Sequence, residues 1–263
     1  MPYSERNGVK TYYEATGEGM PFVMLHANPC DHWMWSYQIA NFSHRFRVIA
    51  PDMRGYGRTD KPLEIYSFDA LVEDVLGVLE QEGVENGILA GASMGSKMAF
   101  KLAAARPGLF QAHIHVGGNA FRGTSYDDRI VGYETEELAP YRAGHLKELF
   151  APGFADTERG QYICRTILQD THRMSGKAIA TLFHSFDDVD LAGQVPSIAE
   201  PTMIVNGEYD NSLRGGQKTA ALIKGARHEV IKGAGHLCIL ENPAAFDALV
   251  IEFLTANGLY PEQ

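Results

Sequence analysis

The sequence predicts an α/β fold with a mostly parallel sheet and helices on both of its faces. Three features of the chain lead to this prediction. Apolar runs of strand length recur, helix-patterned stretches alternate with them from the third run onward, and a single stretch of roughly 75 residues (122–196) carries no strand pattern. Alternating strands and helices build parallel sheets, and short uninterrupted apolar runs suit strands that are buried on both sides.

The predicted elements follow in a regular order. The apolar runs are Val9 to Tyr13, Phe22 to Leu25, Arg47 to Ala50, Gly87 to Ala90, His113 to Val116, Thr202 to Val205 and His228 to Ile231. The helical patterns are Trp33 to Asn41, Phe68 to Glu82, Met94 to Arg106, Gly215 to Ile223, and a last helix that begins at Pro243 and ends at Gly258. Right-handed crossovers between parallel strands would bring the C-terminal ends of the strands to one edge of the sheet.

Residues 122–196 interrupt this order. Charged and aromatic residues are mixed there with helical patterns, such as Thr135 to Phe150 and Arg159 to Met174. A connection of this length needs structure of its own. We therefore expect a single core formed by residues 1–121 and 197–263, with residues 122–196 inserted as a helical cap.

Charge and composition limit the partners of the chain. A formal net charge of -10 disfavours nucleic acid and anionic membranes, because both attract basic surfaces. The start of the chain lacks an apolar signal segment, and no later stretch approaches the roughly 18 apolar residues of a membrane helix. The three cysteines, Cys30, Cys164 and Cys238, have no metal-type spacing and are interpreted as reduced thiols. We expect a cytoplasmic protein without nucleic-acid or membrane partners, and the sequence leaves its oligomeric state open.

A candidate nucleophile lies between a predicted strand and a predicted helix. Ser93 is the centre of Gly91-Ala92-Ser93-Met94-Gly95, a G-x-S-x-G motif. On a tight strand-to-helix turn such a serine is exposed, and side chains at Gly91 or Gly95 would crowd the turn. The alternative is a glycine-rich turn with an uninvolved serine, because short motifs also recur by chance.

A serine nucleophile needs a base and an acid, and candidates follow the last two predicted strands. Asp210 lies in Asn206-Gly207-Glu208-Tyr209-Asp210 after one strand, and His236 follows the other. The imidazole would take the serine proton, and the carboxylate would orient the imidazole and stabilise its cation. Glu208 is an alternative acid and His26 an alternative base.

The order serine, acid, histidine resembles that of the α/β-hydrolase superfamily. The similarity covers nearly the whole chain outside the insertion and is closest to small bacterial carboxylesterases, enol-lactone hydrolases and cofactor-free haloperoxidases. The motifs that carry it are Asn7-Gly8-Val9 with Tyr12-Tyr13, His26-Ala27-Asn28-Pro29, Pro51 to Gly57 with Asp60-Lys61-Pro62, the Ser93 turn, Gly207 to Asp210, and Gly235-His236. The resemblance implies an eight-stranded sheet, with Asp210 as the acid because it lies three residues after Gly207. It also places His26 in the oxyanion loop, which leaves His236 as the base.

The resemblance also implies an oxyanion hole made by the backbone N–H groups of Asn28 and Met94. Met94 would open a helix, so its N–H has no partner within the helix. Two departures from the family pattern change the shape of the site without removing a catalytic group. Ala27 replaces the usual glycine after His26, and Ser96 and Lys97 follow Gly95 where a further glycine is usual.

The substrate pocket is less well defined by the sequence. We expect Trp33, Phe121, Tyr126 and Leu237 to contribute to it, and Cys30 and Cys238 to lie close by. Further aromatic residues, including Tyr133 and Phe183, belong either to the pocket or to the core. His113 and His115 share a strand face, but no third ligand lies near them in the sequence, so we predict no metal and no cofactor.

The expected activity is that of a serine hydrolase that cleaves small carboxylic esters or lactones through an acyl-enzyme. The same triad would serve a cofactor-free perhydrolase or haloperoxidase, in which hydrogen peroxide replaces water, or a carbon–carbon bond hydrolase. A ligand receptor of this fold with little turnover is a further alternative. The triad alone does not choose between these activities.

Overall fold

A computed structural model of the protein describes residues 2–123 and 126–261. Eight strands form its sheet: β1 (Tyr3–Arg6), β2 (Val9–Thr16), β3 (Met20–Leu25), β4 (Phe46–Pro51), β5 (Ile88–Ala92), β6 (Ala112–Val116), β7 (Thr202–Gly207) and β8 (Arg227–Ile231). Their spatial order is β1-β2-β4-β3-β5-β6-β7-β8. β2 runs antiparallel to both β1 and β4, and the other pairs are parallel. The predicted fold class is confirmed.

The described helices cover the sheet and fill the long connection between β6 and β7. They are α1 (Ser36–Phe42), α2 (Phe68–Gln81), α3 (Met94–Ala105), α4 (Asp127–Thr135), α5 (Leu138–Glu148), α6 (Glu158–Leu168), α7 (Gly176–His184), α8 (Leu213–Leu222), α9 (Cys238–Glu241) and α10 (Pro243–Ala256). The helices α4 to α7 all fall within the predicted insertion, of which residues 124 and 125 lie outside the described residues. None of the described helices is long and apolar enough to span a bilayer.

Alternate residues of the central strands supply two apolar cores. In β3, Phe22 and Met24 belong to one buried cluster, whereas Val23 and Leu25 belong to another. Successive side chains of a strand point to opposite faces, so both faces of the sheet are covered. This explains why the parallel strands appear in the sequence as unbroken apolar runs.

Two elements differ from the sequence prediction. Strand β1 has the polar sequence Tyr-Ser-Glu-Arg, and among these residues only Ser4 is buried, so no apolar run marks it. The helix expected at Trp33 to Asn41 is a short 3-10 turn, His32–Trp35, followed by α1. The carboxylate of Asp31 accepts the Trp33 N–H and caps this turn.

Candidate active site

Ser93 lies on a strained turn between β5 and α3. Its backbone has φ 49° and ψ -108°, a left-handed conformation that costs a residue with a side chain about 1–3 kcal/mol. A Cβ on Gly91 would collide with the Gly95 backbone, and a Cβ on Gly95 would collide with the carbonyls of Leu25 and His26. Gly91 is therefore required by the tightness of the turn itself, and Gly95 by close packing against the end of β3.

The imidazole of His236 is bonded to Asp210. His236 Nδ1 lies 2.7 Å from Asp210 Oδ1, and Asn206 and Ser212 donate further hydrogen bonds to this carboxylate. Burial alone would raise the pKa of Asp210, but His236 and these donors lower it to about 2. Asp210 therefore stays ionised at neutral pH and can hold a proton on Nδ1 of His236.

The alternative acid and base occupy structural positions. Glu208 is exposed and accepts the N–H of Gly233. His26 is completely buried, and its Nε2 accepts the Met53 N–H. Burial lowers the pKa of His26 to about 4.

A cavity of about 550 Å³ opens beside these groups. Ser93, Met94, Asn28 and His236 all line it, whereas Asp210 lies behind His236. In the described part of the chain no hydrogen bond joins the Ser93 hydroxyl to His236. Hydrogen bonds of this kind are often long in ligand-free enzymes and shorten when the substrate binds.

A network of buried hydrogen bonds fixes the side chain of Asn28. Asn28 Oδ1 accepts the hydroxyls of Tyr56 at 2.6 Å and of Tyr133 at 2.9 Å, and its amide nitrogen lies 3.1 Å from His145 Nδ1. Tyr133 and His145 belong to α4 and α5, so helices of the insertion hold the Asn28 loop in place.

Arg142 of α5 fixes the next residue of the same loop. Its side chain is fully buried and donates to the Pro29 carbonyl from Nε at 3.1 Å and from Nη2 at 2.5 Å. Its other partners are the Ile167 carbonyl and the Thr171 hydroxyl. Arg142 thus joins the Asn28-Pro29 loop to α6 and to the turn that follows it.

Known proteins of similar sequence and structure share this architecture. Residues 20–138 match the family model of the alpha/beta hydrolase fold. The structure superimposes on the enol-lactonase from Burkholderia xenovorans LB400 with a TM-score of 0.89 and 27% identity, over 97% of this chain and 100% of the other. The chain has the α/β-hydrolase fold, and these similarities support its membership of the α/β-hydrolase superfamily.

Two curated relatives match nearly the whole chain. It is 28% identical to the AB hydrolase superfamily protein YisY of Bacillus subtilis (strain 168), over 93% of this chain and 95% of that protein. It is 25% identical to a putative non-heme chloroperoxidase of Synechocystis sp., over 97% of this chain and 100% of that protein. These relatives support hydrolase activity.

The expected pocket residues divide into two groups in this hydrolase. Tyr126 lines the cavity. Trp33, Phe121 and Leu237 are not among its lining residues. Trp33 packs against the core with its ring tilted against that of His32, and Leu237 is buried in that core. Phe121 offers its carbonyl to the ammonium group of Lys97. Large apolar side chains next to a site fill the core as readily as they form a pocket, so their type did not separate the two roles.

Cys30 and Cys238 also belong to the apolar core, where burial raises the pKa of each thiol.

The two histidines of β6 are buried: His115 stacks on Phe100 at 3.5 Å between ring centroids and bonds to Ser96. Three potential metal-ligand atoms lie close together on Asp31, His32 and Asp52. Asp31 caps the 3-10 turn, however, and His32 is hydrogen-bonded to Asp52.

Several lining residues were not predicted from the sequence. Lys97 follows Ser93 by four residues on α3, and this spacing alone could have placed both on one helix face. Half of the others come from the insertion, among them Arg129, His145, Leu149 and Phe186, and the rest, such as Asn119 and Asn211, follow β6 and β7. Their sequence positions carry no motif that would have identified them.

Proposed function

We propose that this protein is a serine hydrolase that cleaves small carboxylic esters or lactones. In this proposal Ser93 is the nucleophile, His236 is the general base and acid, and Asp210 orients His236. The main support is the strained Ser93 turn beside a cavity that His236 also lines, with the Asp210 carboxylate bonded to the far nitrogen of the imidazole.

The first half of the reaction forms an acyl-enzyme. His236 Nε2 takes the hydroxyl proton as Ser93 Oγ bonds to the carbonyl carbon, while the ionised Asp210 stabilises the imidazolium. Collapse of the tetrahedral intermediate breaks the bond to the leaving oxygen, which receives the proton from His236. In a lactone the leaving oxygen stays attached, because it belongs to the ring.

The oxyanion of that intermediate would bind to the backbone N–H groups of Asn28 and Met94. Both residues line the cavity, and Met94 is the first residue of α3, where N–H groups lack intrahelical partners. The hydrogen bonds from Tyr56, Tyr133 and Arg142 would keep the Asn28 loop in position before the substrate arrives. Preorganised donors of this kind typically contribute about 3 kcal/mol each.

The second half hydrolyses the acyl-enzyme. His236 removes a proton from water, the resulting hydroxide bonds to the acyl carbon, and Ser93 leaves with the proton returned by His236. We also propose that residues 122–196 act as a cap, because Tyr126, Arg129, His145 and Phe183 of this segment line the cavity. The similarity to an enol-lactonase favours small esters and lactones as substrates.

A second candidate activity is perhydrolysis. It is favoured by the similarity to a putative non-heme chloroperoxidase along the whole chain. In this reaction hydrogen peroxide replaces water, so that a carboxylic acid and hydrogen peroxide give a peroxy acid and water. Halide oxidation in acetate buffer that needs both peroxide and Ser93 would establish it.

The proposed function is tested with a fluorophosphonate probe and a panel of p-nitrophenyl esters and lactones. We expect the probe to label the wild type and Ser96→Ala but not Ser93→Ala, because the Ser96 hydroxyl is buried against His115. Ester turnover should likewise be lost in Ser93→Ala and retained in Ser96→Ala. Full turnover by Ser93→Ala would refute the assignment of the nucleophile.

A further inference from the structure

The charge that lines the cavity is opposite in sign to that of the chain. The chain has a formal net charge of -10, yet the charged side chains among the described lining residues are Lys97 and Arg129, and none of those residues is acidic. Charges of one sign in a cleft with low-dielectric walls concentrate ligands of the other sign. The cavity therefore favours an anionic ligand although the protein as a whole repels one.

Lys97 is the more deeply buried of the two cations. Its exposed fraction is 6%, and its ammonium group donates to the carbonyls of Phe121 at 2.5 Å and Val189 at 3.4 Å. An ammonium group has three N–H donors, so these carbonyls leave one for a ligand. Lys97 also lies in the first turn of α3, where its backbone N–H donates to the Ser93 carbonyl at 3.2 Å.

The charge of Lys97 lacks an ion-pair partner in the described part of the chain. The carboxylate that acts on it electrostatically is that of Asp190, which is exposed and accepts the backbone N–H groups of Ala192 and Arg122. Burial of an unpaired charge is unfavourable. Accordingly, desolvation lowers the pKa of Lys97 to about 8, which leaves it protonated at neutral pH.

Arg129 adds a second cation from α4. Its Nη2 donates to Glu148 Oε2 at 2.8 Å, and Glu148 is exposed. A guanidinium group has five N–H donors, so Glu148 and Tyr141, which also bonds to Arg129, leave others for the cavity. The two cations come from different elements, one beside the nucleophile and one in the insertion.

We propose that Lys97, assisted by Arg129, binds a carboxylate of the substrate a few bonds from the scissile carbonyl. The preferred substrates would then be esters or lactones of dicarboxylic acids or of other acids with a second anionic group. This inference depends on the proposed function, because it names the substrate class of the same site. The competing explanation is that Lys97 is only structural and joins α3 to the chain segments around Phe121 and Val189 through their carbonyls.

Two esters of nearly equal shape separate these explanations. Mono-p-nitrophenyl glutarate ends in a carboxylate where p-nitrophenyl valerate ends in a methyl group. We expect the wild type to prefer the glutarate in kcat/KM, and Lys97→Met to lower that preference by about 10- to 100-fold, the range for one hydrogen bond to a charged group. Arg129→Gln should lower it less, because its charge is already paired.

Lys101→Met is the matched control. Lys101 lies one turn further along α3, pairs with Asp69 at 3.1 Å and is not among the lining residues, so its loss should leave the preference unchanged. The preference of the wild type should also decline as the pH rises through about 8, where Lys97 loses its proton, and Lys97→Arg should abolish that decline. The other charged or titratable groups around this end of the cavity include Asp190, Arg129, His145 and His236. They are the same in the wild type and in Lys97→Arg, so a difference between the two pH profiles reports on residue 97.

The outcomes separate the subsite from the proposed function. If Lys97→Met lowers turnover of both esters equally, Lys97 is structural and the subsite is refuted while the serine hydrolase stands. If the wild type cleaves neither ester and resists the fluorophosphonate, the proposed function fails instead. Calorimetric titration with glutarate then tests the carboxylate subsite by itself. The subsite predicts that the wild type binds glutarate and that Lys97→Met weakens this binding at least 10-fold. Equal binding by the two proteins, or no binding by the wild type, would refute the subsite.

Discussion

The two walls of the cavity are built in different ways. The strand-end wall consists of Asn28, Ser93, Met94 and His236, on short loops or turns at the C-terminal edge of the sheet. The insertion wall consists of Tyr126, Arg129, His145, Leu149, Phe183 and Phe186, which lie on or beside α4, α5 and α7. The first wall follows the strands of the sheet and receives hydrogen bonds from α4 and α5 at the Asn28-Pro29 loop, whereas the second wall lies on or beside the helices of the insertion. We infer that the strand-end wall supplies the chemistry, and that the insertion wall supports it and selects the substrate together with Lys97 of α3.

The largest effect is expected at Asp210, which lies behind His236 of the strand-end wall. Asp210→Asn should lower kcat by about 10⁴-fold, the loss that the same change causes in the Ser-His-Asp triad of serine proteases, because the imidazole would adopt the wrong tautomer. Steady-state kinetics with a p-nitrophenyl ester would measure it. Glu208→Gln is the matched control and should keep nearly full activity, since Glu208 bonds to Gly233 rather than to His236. Equal losses in the two variants would contradict this assignment of the acid.

An intermediate effect is expected where the insertion contacts the strand-end wall. Arg142→Met removes the donors to the Pro29 carbonyl and leaves buried carbonyls unpaired, which should lower the free energy of unfolding by about 1–3 kcal/mol. Displacement of the Asn28 loop should also lower kcat about 10-fold, with less change in KM. Denaturant unfolding and steady-state kinetics measure the two effects.

Two further variants show whether the guanidinium itself matters. Arg142→Lys should recover only part of the loss, because an ammonium group cannot reproduce the planar fork of donors. Arg165→Met, on the exposed side of α6, should change neither quantity. If Arg142→Met unfolds at the wild-type denaturant concentration with normal kcat, the insertion does not hold the loop.

The smallest effect is expected at Tyr133. Tyr133→Phe removes one of the two hydroxyls that Asn28 Oδ1 accepts, and Tyr56 remains, so the loss in stability should be about 0.5–1.5 kcal/mol with a small decrease in kcat. Tyr141→Phe is the control, because its hydroxyl contacts the Asp128 carbonyl at 3.5 Å and the Arg129 side chain rather than Asn28. A Tyr133→Phe defect as large as that of Arg142→Met would show that the tyrosine, not the arginine, fixes the loop.

The strand-end wall was largely predictable from the sequence. The apolar runs locate the central strands, and the elements that follow β5, β7 and β8 carry Ser93, Asp210 and His236. The structure bonds Asp210 to His236 and places His236 and Ser93 in one cavity. These relations follow from parallel strands, whose C-terminal ends share one edge of the sheet.

The insertion wall was not predictable in the same way. Arg142 is completely buried although arginine is typically a surface residue, and only its tertiary partners Pro29, Ile167 and Thr171 explain this. Helix α4 begins with two aspartates, and its sequence gives no sign that Arg129 reaches the cavity. Contacts between helices of the insertion and the core depend on packing that no short motif records.

The most direct test of the account is to identify the residue that carries the acyl group. The wild type would be mixed with p-nitrophenyl acetate, quenched in acid during turnover, digested and mapped by mass spectrometry. The account predicts an acetyl group on Ser93 that disappears in Ser93→Ala. An acetyl group on any other side chain during productive turnover, with Ser93 unmodified, would contradict it.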